Sequence, residues 1–291
     1  DYGIVREDGH IVASGKSSDL EREMKGGLEE FKRPEVIEEN PIIRVENCRK
    51  IFYLADRGTI RAVDGVSFTV NEREIFGIVG VSGAGKTTLG RMIGGLQEPS
   101  SGKVYVRIGD EWIDMSIVGP AGRGRATPYI SILHQEYGLY PHSTIVQNLT
   151  DSIGLTMPAE IAKAKAALVL KAVGFSESKI EEIMDLYPDS LGEGERHRIA
   201  LARAMMTEPD ILILDEPTGT IDPLTLNDIA KAILTSREEL GQTYVIMSHD
   251  PAFVETVCDR AMLMRGGKIV KIGEPKEVIA LFKELEKPMG T

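Results

Sequence analysis

An α/β fold with a mostly parallel sheet and a helical insertion is what this 291-residue sequence predicts. Three observations carry the reading. Ile211–Leu214 (ILIL) and Thr243–Ser248 (TYVIMS) are unbroken apolar runs, the pattern of parallel strands covered on both faces. Helical stretches separate them, and strands alternating with helices define the α/β class. A glycine-rich loop, Gly80–Thr88, follows the short apolar strand Glu74–Gly80 and precedes a helical stretch. Finally, helical character holds from about Pro141 to Tyr187 around the alanine-rich AEIAKAKAALVLKAV, so the insertion is bounded at about 136–190.

The elements follow in order. Residues 1–20, DYGIVREDGHIVASGKSSDL, align without gaps on the segment that starts at Asp259, DRAMLMRGGKIVKIGEPKEV. Asp1/Asp259, Gly9/Gly267, Ile11/Ile269, Val12/Val270 and Gly15/Gly273 are identical, where chance supplies about one match in twenty. Both copies read as strand, glycine turn, strand and helix start. Hairpins share a general look; the sharper expectation is that 1–20 is the last hairpin of a preceding domain. Residues 21–40 are charged and poor in apolar residues, a linker. Residues 41–291 then form one domain. IIRVENC and AVDGVSFTV are strands around a polar turn at Ala55–Thr59, and VYVRI and ISIL are further strands. Between the last two, GPAGRGRATP reads as a mobile loop.

Composition bounds the function. A net charge of −11 argues against a general affinity for nucleic acid, which needs a basic face. The two cysteines, Cys48 and Cys258, match no metal spacing and fit a reducing compartment. No apolar run approaches the roughly 18–20 residues of a membrane span. DYGIVREDGH lacks the basic and apolar regions of a secretory leader. The expectation is a cytoplasmic protein.

Gly80-Val-Ser82-Gly83-Ala84-Gly85-Lys86-Thr87-Thr88 matches G-x-x-x-x-G-K-[ST] between a strand and a helix. Glycines let backbone N–H groups approach phosphate oxygens, and a helix N-terminus adds partial positive charge. Lys86 suits the β- and γ-phosphates of ATP, and the Thr87 hydroxyl suits Mg²⁺. Asp215 and Glu216 end the second strand, where ligands bind in open α/β sheets. Asp215 is suited to the Mg²⁺ shell and Glu216 to polarising the attacking water.

Together, GVSGAGKTT and ARAMMTEPDILILDEPTGTIDP resemble the ATP-binding cassette (ABC) ATPases, from about Ile42 onward. The resemblance implies a P-loop NTPase fold, an ABC-type nucleotide-binding domain with a helical subdomain, and ATP hydrolysis with Mg²⁺ as cofactor. It makes Gln135 the sensor of the metal and γ-phosphate. It places His249 against the γ-phosphate and Asp222 in the loop that crosses to a second cassette, in cis or in a homodimer. An aromatic in KIFY would stack on adenine: Phe52 fits the spacing, with Tyr53 the other candidate. One motif departs. The signature LSGGQ reads Leu191-Gly192-Glu193-Gly194-Glu195, in a register fixed by Arg198. Gly192 replaces the serine that would touch γ-phosphate across the dimer. Glu193 and Glu195 bring negative charge, so the site this signature completes is expected to be slow or structural.

LGEGERHRIALARA, the HQEYGLYPH run and the tandem arrangement are similar to one subgroup of the family, component A2 of the methyl-coenzyme M reductase system. That likeness implies ATP-dependent activation of the methyl-coenzyme M reductase complex. The alternative is the ATPase subunit of a membrane importer of peptide, metal or sugar, with a coupling groove beside Gln135 where Tyr137–His142 could serve either kind of partner. A soluble cassette acting on ribosomes or DNA is disfavoured by the short, acidic linker.

Overall fold

The computed structural model describes residues 2–7, 10–16, 39–54, 58–134, 138–151, 153, 157–217 and 223–286. Gln135, Asp222 and nearly all of the expected linker lie outside them. Described strands are β1 (Tyr2–Glu7), β2 (His10–Lys16), β3 (Pro41–Leu54), β4 (Gly58–Asn71), β5 (Ile75–Val79), β6 (Ser101–Ile108), β7 (Glu111–Asp114), β8 (Ile130–Leu133), β9 (Ile211–Asp215), β10 (Thr243–Ser248), β11 (Arg260–Arg265) and β12 (Lys268–Gly273). Helices are α1 (Lys86–Ile93), α2 (Ile145–Thr150), α3 (Ala159–Ala172), α4 (Glu177–Ile183), α5 (Glu193–Met205), α6 (Pro223–Leu240), α7 (Pro251–Val257) and α8 (Pro275–Glu286).

A six-stranded sheet runs β12-β11-β5-β10-β9-β8, parallel except for β12 on its edge. A four-stranded antiparallel sheet, β4-β3-β6-β7, covers one face. Strand alternation divides the core in two. Ile75, Val79, Leu212, Leu214, Tyr244 and Ile246 pack with the helices of the insertion and α6 to α8. Phe76, Ile78, Ile211, Ile213, Val245 and Met247 pack with α1 and the antiparallel sheet. Every residue of β5, β9 and β10 is buried, which is why these strands read as continuous apolar runs. The same alternation turns Asp215 toward the α1 side.

The insertion carries α2, α3 and α4, and side chains cap the first and last of them. Thr144 caps α2 in a reciprocal pair with Gln147, and Ser176 caps α4 by accepting from Lys179 N. GPAGRGRATP departs from the mobile loop expected. It folds into 3₁₀ turns at Arg123–Arg125 and Thr127–Tyr129. Arg125 clamps the Glu111 carboxylate with both terminal nitrogens, and Arg123 lies 3.6 Å from Glu98. Ion pairs reaching other elements hold what glycine and arginine content alone suggested was free.

The two hairpins that share sequence also share register. β1 pairs with β2 as Gly3↔Gly15, Ile4↔Ser14 and Val5↔Ala13, then shifts between Val5 and Arg6 to give Arg6↔Ile11. β11 pairs with β12 as Ala261↔Gly273, Met262↔Ile272 and Leu263↔Lys271, then shifts between Leu263 and Met264 to give Met264↔Ile269. Under the alignment of Asp1 on Asp259, all five pairs of β11–β12 and the irregularity coincide with those of β1–β2, which has one further pair, Tyr2↔Lys16. A bulge is a local feature whose position is specified by sequence. Generic hairpin geometry does not dictate where it falls.

Candidate functional site at the sheet mouth

Three neighbouring strands, β5, β10 and β9, end at one edge, and their registers level the ends. Ser248 lies opposite Val79, and Met247 opposite Asp215. The loop after β5 closes tightly. Gly85 has φ 103°, and a Cβ there would lie 2.1 Å from the Ala62 carbonyl oxygen. A Cβ on Gly80 would meet the Met264 carbonyl oxygen at 2.4 Å. Only glycine fits either place. Ala84 is buried beneath the loop, Ser82 and Gly83 are exposed at its crest, and Thr88 is half-buried in the first turn of α1. The Lys86 side chain is 6% exposed. Its ammonium donates to the Gly80 carbonyl at 2.7 Å and lies 3.3 Å from Glu216 Oε1.

On β9, Asp215 Oδ1 accepts from the Thr87 hydroxyl at 3.0 Å. Burial pushes the Asp215 carboxyl above its ordinary range; Thr87 opposes this, and the adjacent Glu216 adds to it. Glu216 adopts φ 53°, a left-handed conformation that costs a non-glycine residue about 1–2 kcal/mol. Its N–H donates to the Met247 carbonyl at 2.8 Å. Its Oε2 accepts from the His249 N–H at 3.0 Å and lies 2.6 Å from His249 Nδ1. Glu216 thus bridges the loop lysine and the histidine after β10. A hydroxyl beside a buried carboxylate whose charge burial disfavours is a hard oxygen pair, and it fits a small divalent cation such as Mg²⁺.

The structure brings Lys86, Thr87, Asp215, Glu216 and His249 together. Phe52 and Tyr53 separate. Phe52 is half-buried, pairs with Ile60 on β4 two residues from the Ala62 backbone that abuts Gly85, and has Lys50 Nζ 5.4 Å from its ring centre. Tyr53 pairs with Thr59 and is 81% exposed.

Gly192, Glu193 and Gly194 form a second cluster, at the start of α5. Gly192 takes φ −63°, ψ 159°, an extended N-cap geometry, without a side chain to cap the helix. Glu195 supplies the missing half by accepting from the Gly192 N–H at 3.0 Å. Its other oxygen lies 3.1 Å from Lys179 Nζ on α4. The Glu195 carboxylate is therefore folded back and paired, while the Glu193 side chain is exposed. A Cβ on Gly194 would come within 2.9 Å of the Thr225 hydroxyl, so any larger residue there would have to displace the Thr225 side chain on α6.

Two contributors escaped the sequence reading. Gly267, in the turn between β11 and β12, donates to the Ala84 carbonyl and accepts from the Asp64 N–H, so it clamps the loop from behind. Lys179 carries no motif. Its helix is charged on most exposed positions, and no spacing marks the one lysine that reaches Glu195.

The family model described as ABC transporter matches residues 63–219. The chain is 53% identical to the uncharacterized ABC transporter ATP-binding protein MJ1242 of Methanocaldococcus jannaschii, over 98% of this chain but 53% of that protein. The chain thus spans about half the length of that relative. It is 33% identical to the methionine import ATP-binding protein MetN 2 of Rhodococcus jostii, over 85% of this chain and 69% of that one. Among solved structures, cbiO1 from Clostridium perfringens, part of the cbiONQ transporter complex, superposes with a TM-score of 0.71 at 29% identity, over 86% of this chain and 94% of that chain. The cassette MJ0796, a dimer in a post-hydrolysis state with ADP and Pi, gives 0.68 at 25% identity, over 80% and 98% of the respective chains. The matched residues take in Lys86, Thr87, Asp215, Glu216 and the start of α5, while Phe52 and His249 lie outside them, and the chain belongs to the ABC transporter family of ATP-binding cassettes.

Proposed function

We propose that this chain binds ATP at the mouth of the six-stranded sheet, hydrolyses it in a pair with a second cassette, and drives a membrane transport partner. The observation that carries the reading is the bridge Lys86–Glu216–His249 beside the Thr87–Asp215 pair. The loop amides and Lys86 would take the phosphates, and Phe52 the base. Thr87 and Asp215 would hold Mg²⁺, whose charge offsets that of the β- and γ-phosphates. Glu216 accepts a proton as water attacks the γ-phosphorus and the bond to the bridging oxygen breaks, leaving ADP and phosphate. His249 orients Glu216 through its backbone N–H and ring. A neutral ring must carry its proton on Nδ1 to donate to Glu216. A hydrogen bond from Nε2 to phosphate then needs the imidazolium form.

The transport reading is supported by the company the chain keeps: methionine import in MetN 2 and a transporter complex in cbiO1. Among the described residues no helix is long and apolar enough to cross a membrane, so a permease would be a separate polypeptide or segment. A further observation bears on chain organisation and does not choose between transport and activation of the methyl-coenzyme M reductase complex. The β1–β2 register reproduces that of β11–β12, and we read it as the closing hairpin of a preceding cassette in a tandem chain. The relative of about twice this length fits such a tandem.

Magnesium-dependent ATP binding that Lys86→Ala weakens at least about 100-fold tests the site. Affinity that survives the substitution overturns it. Purification from native extract tests the partner: retention in salt-washed membranes favours transport, and a soluble complex with the reductase favours activation.

A further inference from the structure

We infer that Lys179 is a positioning residue for nucleotide-driven pairing: it holds Glu195 back on the start of α5, so that this helix end stays open to phosphate. The inference rests on the proposed function and on the role the family resemblance gives the signature, which meets ATP held by a second cassette.

An α-helix presents orphan N–H groups and partial positive charge at its N-terminus. Here no cap hydroxyl stands at Gly192, and a carboxylate sits three residues in, at Glu195. Left to itself that carboxylate has two choices: to fold back on the cap, or to swing toward any anion and repel it. The structure shows it folded back and held at both oxygens. Oε2 accepts from the Gly192 N–H at 3.0 Å, and Oε1 lies 3.1 Å from Lys179 Nζ. The pair is mostly shielded, with side-chain exposures of 28% for Lys179 and 18% for Glu195. Removing one member of such a pair costs more than removing an exposed one, because the survivor keeps its charge without its partner.

Lys179 is well placed for the task. Its own backbone N–H donates to the Ser176 hydroxyl at 3.3 Å, which fixes it in the first turn of α4. A second carboxylate, Glu182, lies 3.3 Å from its ammonium on the outer side. The lysine is thus anchored in the insertion while its ammonium reaches the signature helix. The helix body is held separately by Arg198, which donates to the Gly174 carbonyl at 3.3 Å and lies 3.6 Å from Asp228. Loss of Lys179 should therefore free the Glu195 side chain and leave α5 in place.

The experiment uses the intact chain with three substitutions: Lys179→Met, Lys179→Arg, and Lys179→Met combined with Glu195→Gln. Two quantities are measured: Mg-ATP affinity by titration, and ATP-driven association by light scattering. Lys179→Met should weaken association on the order of tenfold and leave ATP affinity within about twofold. Lys179→Arg should keep association. The double variant should restore most of it, since the amide can still accept from Gly192 and carries no charge. A purely structural lysine would not be rescued by changing Glu195. Association unchanged in Lys179→Met, or lost and not recovered in the double variant, overturns the inference. A wild-type chain that bound no Mg-ATP would overturn the proposed function first and this inference with it, so the two failures are distinguishable.

Discussion

The proposed function puts nucleotide at the sheet mouth and the family resemblance puts it also at the start of α5, yet the two places are built differently. At the mouth, fully buried strands level their ends in register, and side chains lock to one another, Lys86 to Glu216 at 3.3 Å and Thr87 to Asp215 at 3.0 Å. At α5, the functional hydroxyl is missing, and backbone amides, a glycine and one interhelical ion pair do what remains. A rigid scaffold fixes reactive groups, whereas a surface helix in an insertion can lose a side chain and still offer its N–H groups. The lesson is that the two halves of a composite site need not decay together. Under the proposed function, this chain offers a nucleotide pocket at the mouth and presents a weakened signature to its partner cassette.

That contrast breaks most sharply at Glu216. Replacing it with glutamine keeps the size and removes the base. Turnover should fall at least about 100-fold, with ATP affinity changing by less than about threefold. A phosphate-release assay beside a binding titration checks this. Undiminished turnover would mean that the mouth is not where water is activated. Next in size is the base platform. Stacking on an aromatic ring is worth about 1–3 kcal/mol, so Phe52→Ala should cost roughly tenfold or more in ATP affinity. Tyr53→Ala, on an exposed ring, should cost less than about twofold. The reverse order would assign the platform to Tyr53.

The signature half should respond in the opposite direction. Gly192 already has the backbone of an N-cap serine, and a new Cβ would sit 3.7 Å from Glu195 Oε2, an ordinary contact. Gly192→Ser should therefore change stability by only a few tenths of a kcal/mol, on the order seen for glycine caps. Combined with Glu193→Gly, it should raise turnover about threefold as hydroxyl replaces charge. A rate that does not rise would show that α5 no longer takes part in the chemistry, which sharpens the contrast into a purely structural role.

How much was legible beforehand follows the same divide. The strands of the mouth announced themselves because burial on both faces leaves an apolar run, and the loop because phosphate binding demands glycines at fixed places. Asp215 and Glu216 were readable as the residues that end such a strand. What escaped depends on contacts between segments distant in sequence. The choice between Phe52 and Tyr53 is a matter of which strand face each occupies. The fate of the Glu195 charge is decided by Lys179 on another helix. The clamp of Gly267 on Ala84 joins residues that no local pattern connects. The segment around Arg123 and Arg125 read as loose because composition cannot show that Glu98 and Glu111 wait across from it.

The smallest expected effect is a rate that stays near zero, and it probes the scaffold beneath the mouth. Cys48 lies fully buried in β3, with its sulfur 3.9 Å from Met92 Sδ on α1, and burial pushes its thiol up to about 11. At pH 8 only about one such thiol in a thousand is ionised, and only the thiolate reacts with a disulfide reagent. Cys258, equally buried, packs against Gly77 on the opposite face of β5. The two thiols therefore report the two layers that sandwich the strands of the site. Labelling with an aromatic disulfide reagent should be slow for both in the native chain. It should be slower again with Mg-ATP, since a ligand that binds only the folded state suppresses opening by mass action. Rapid labelling of Cys48 alone would mean that the antiparallel sheet lifts from α1 without global unfolding. The phosphate loop would then rest on a layer that opens by itself, and the rigidity that sets the mouth apart from α5 would be lost.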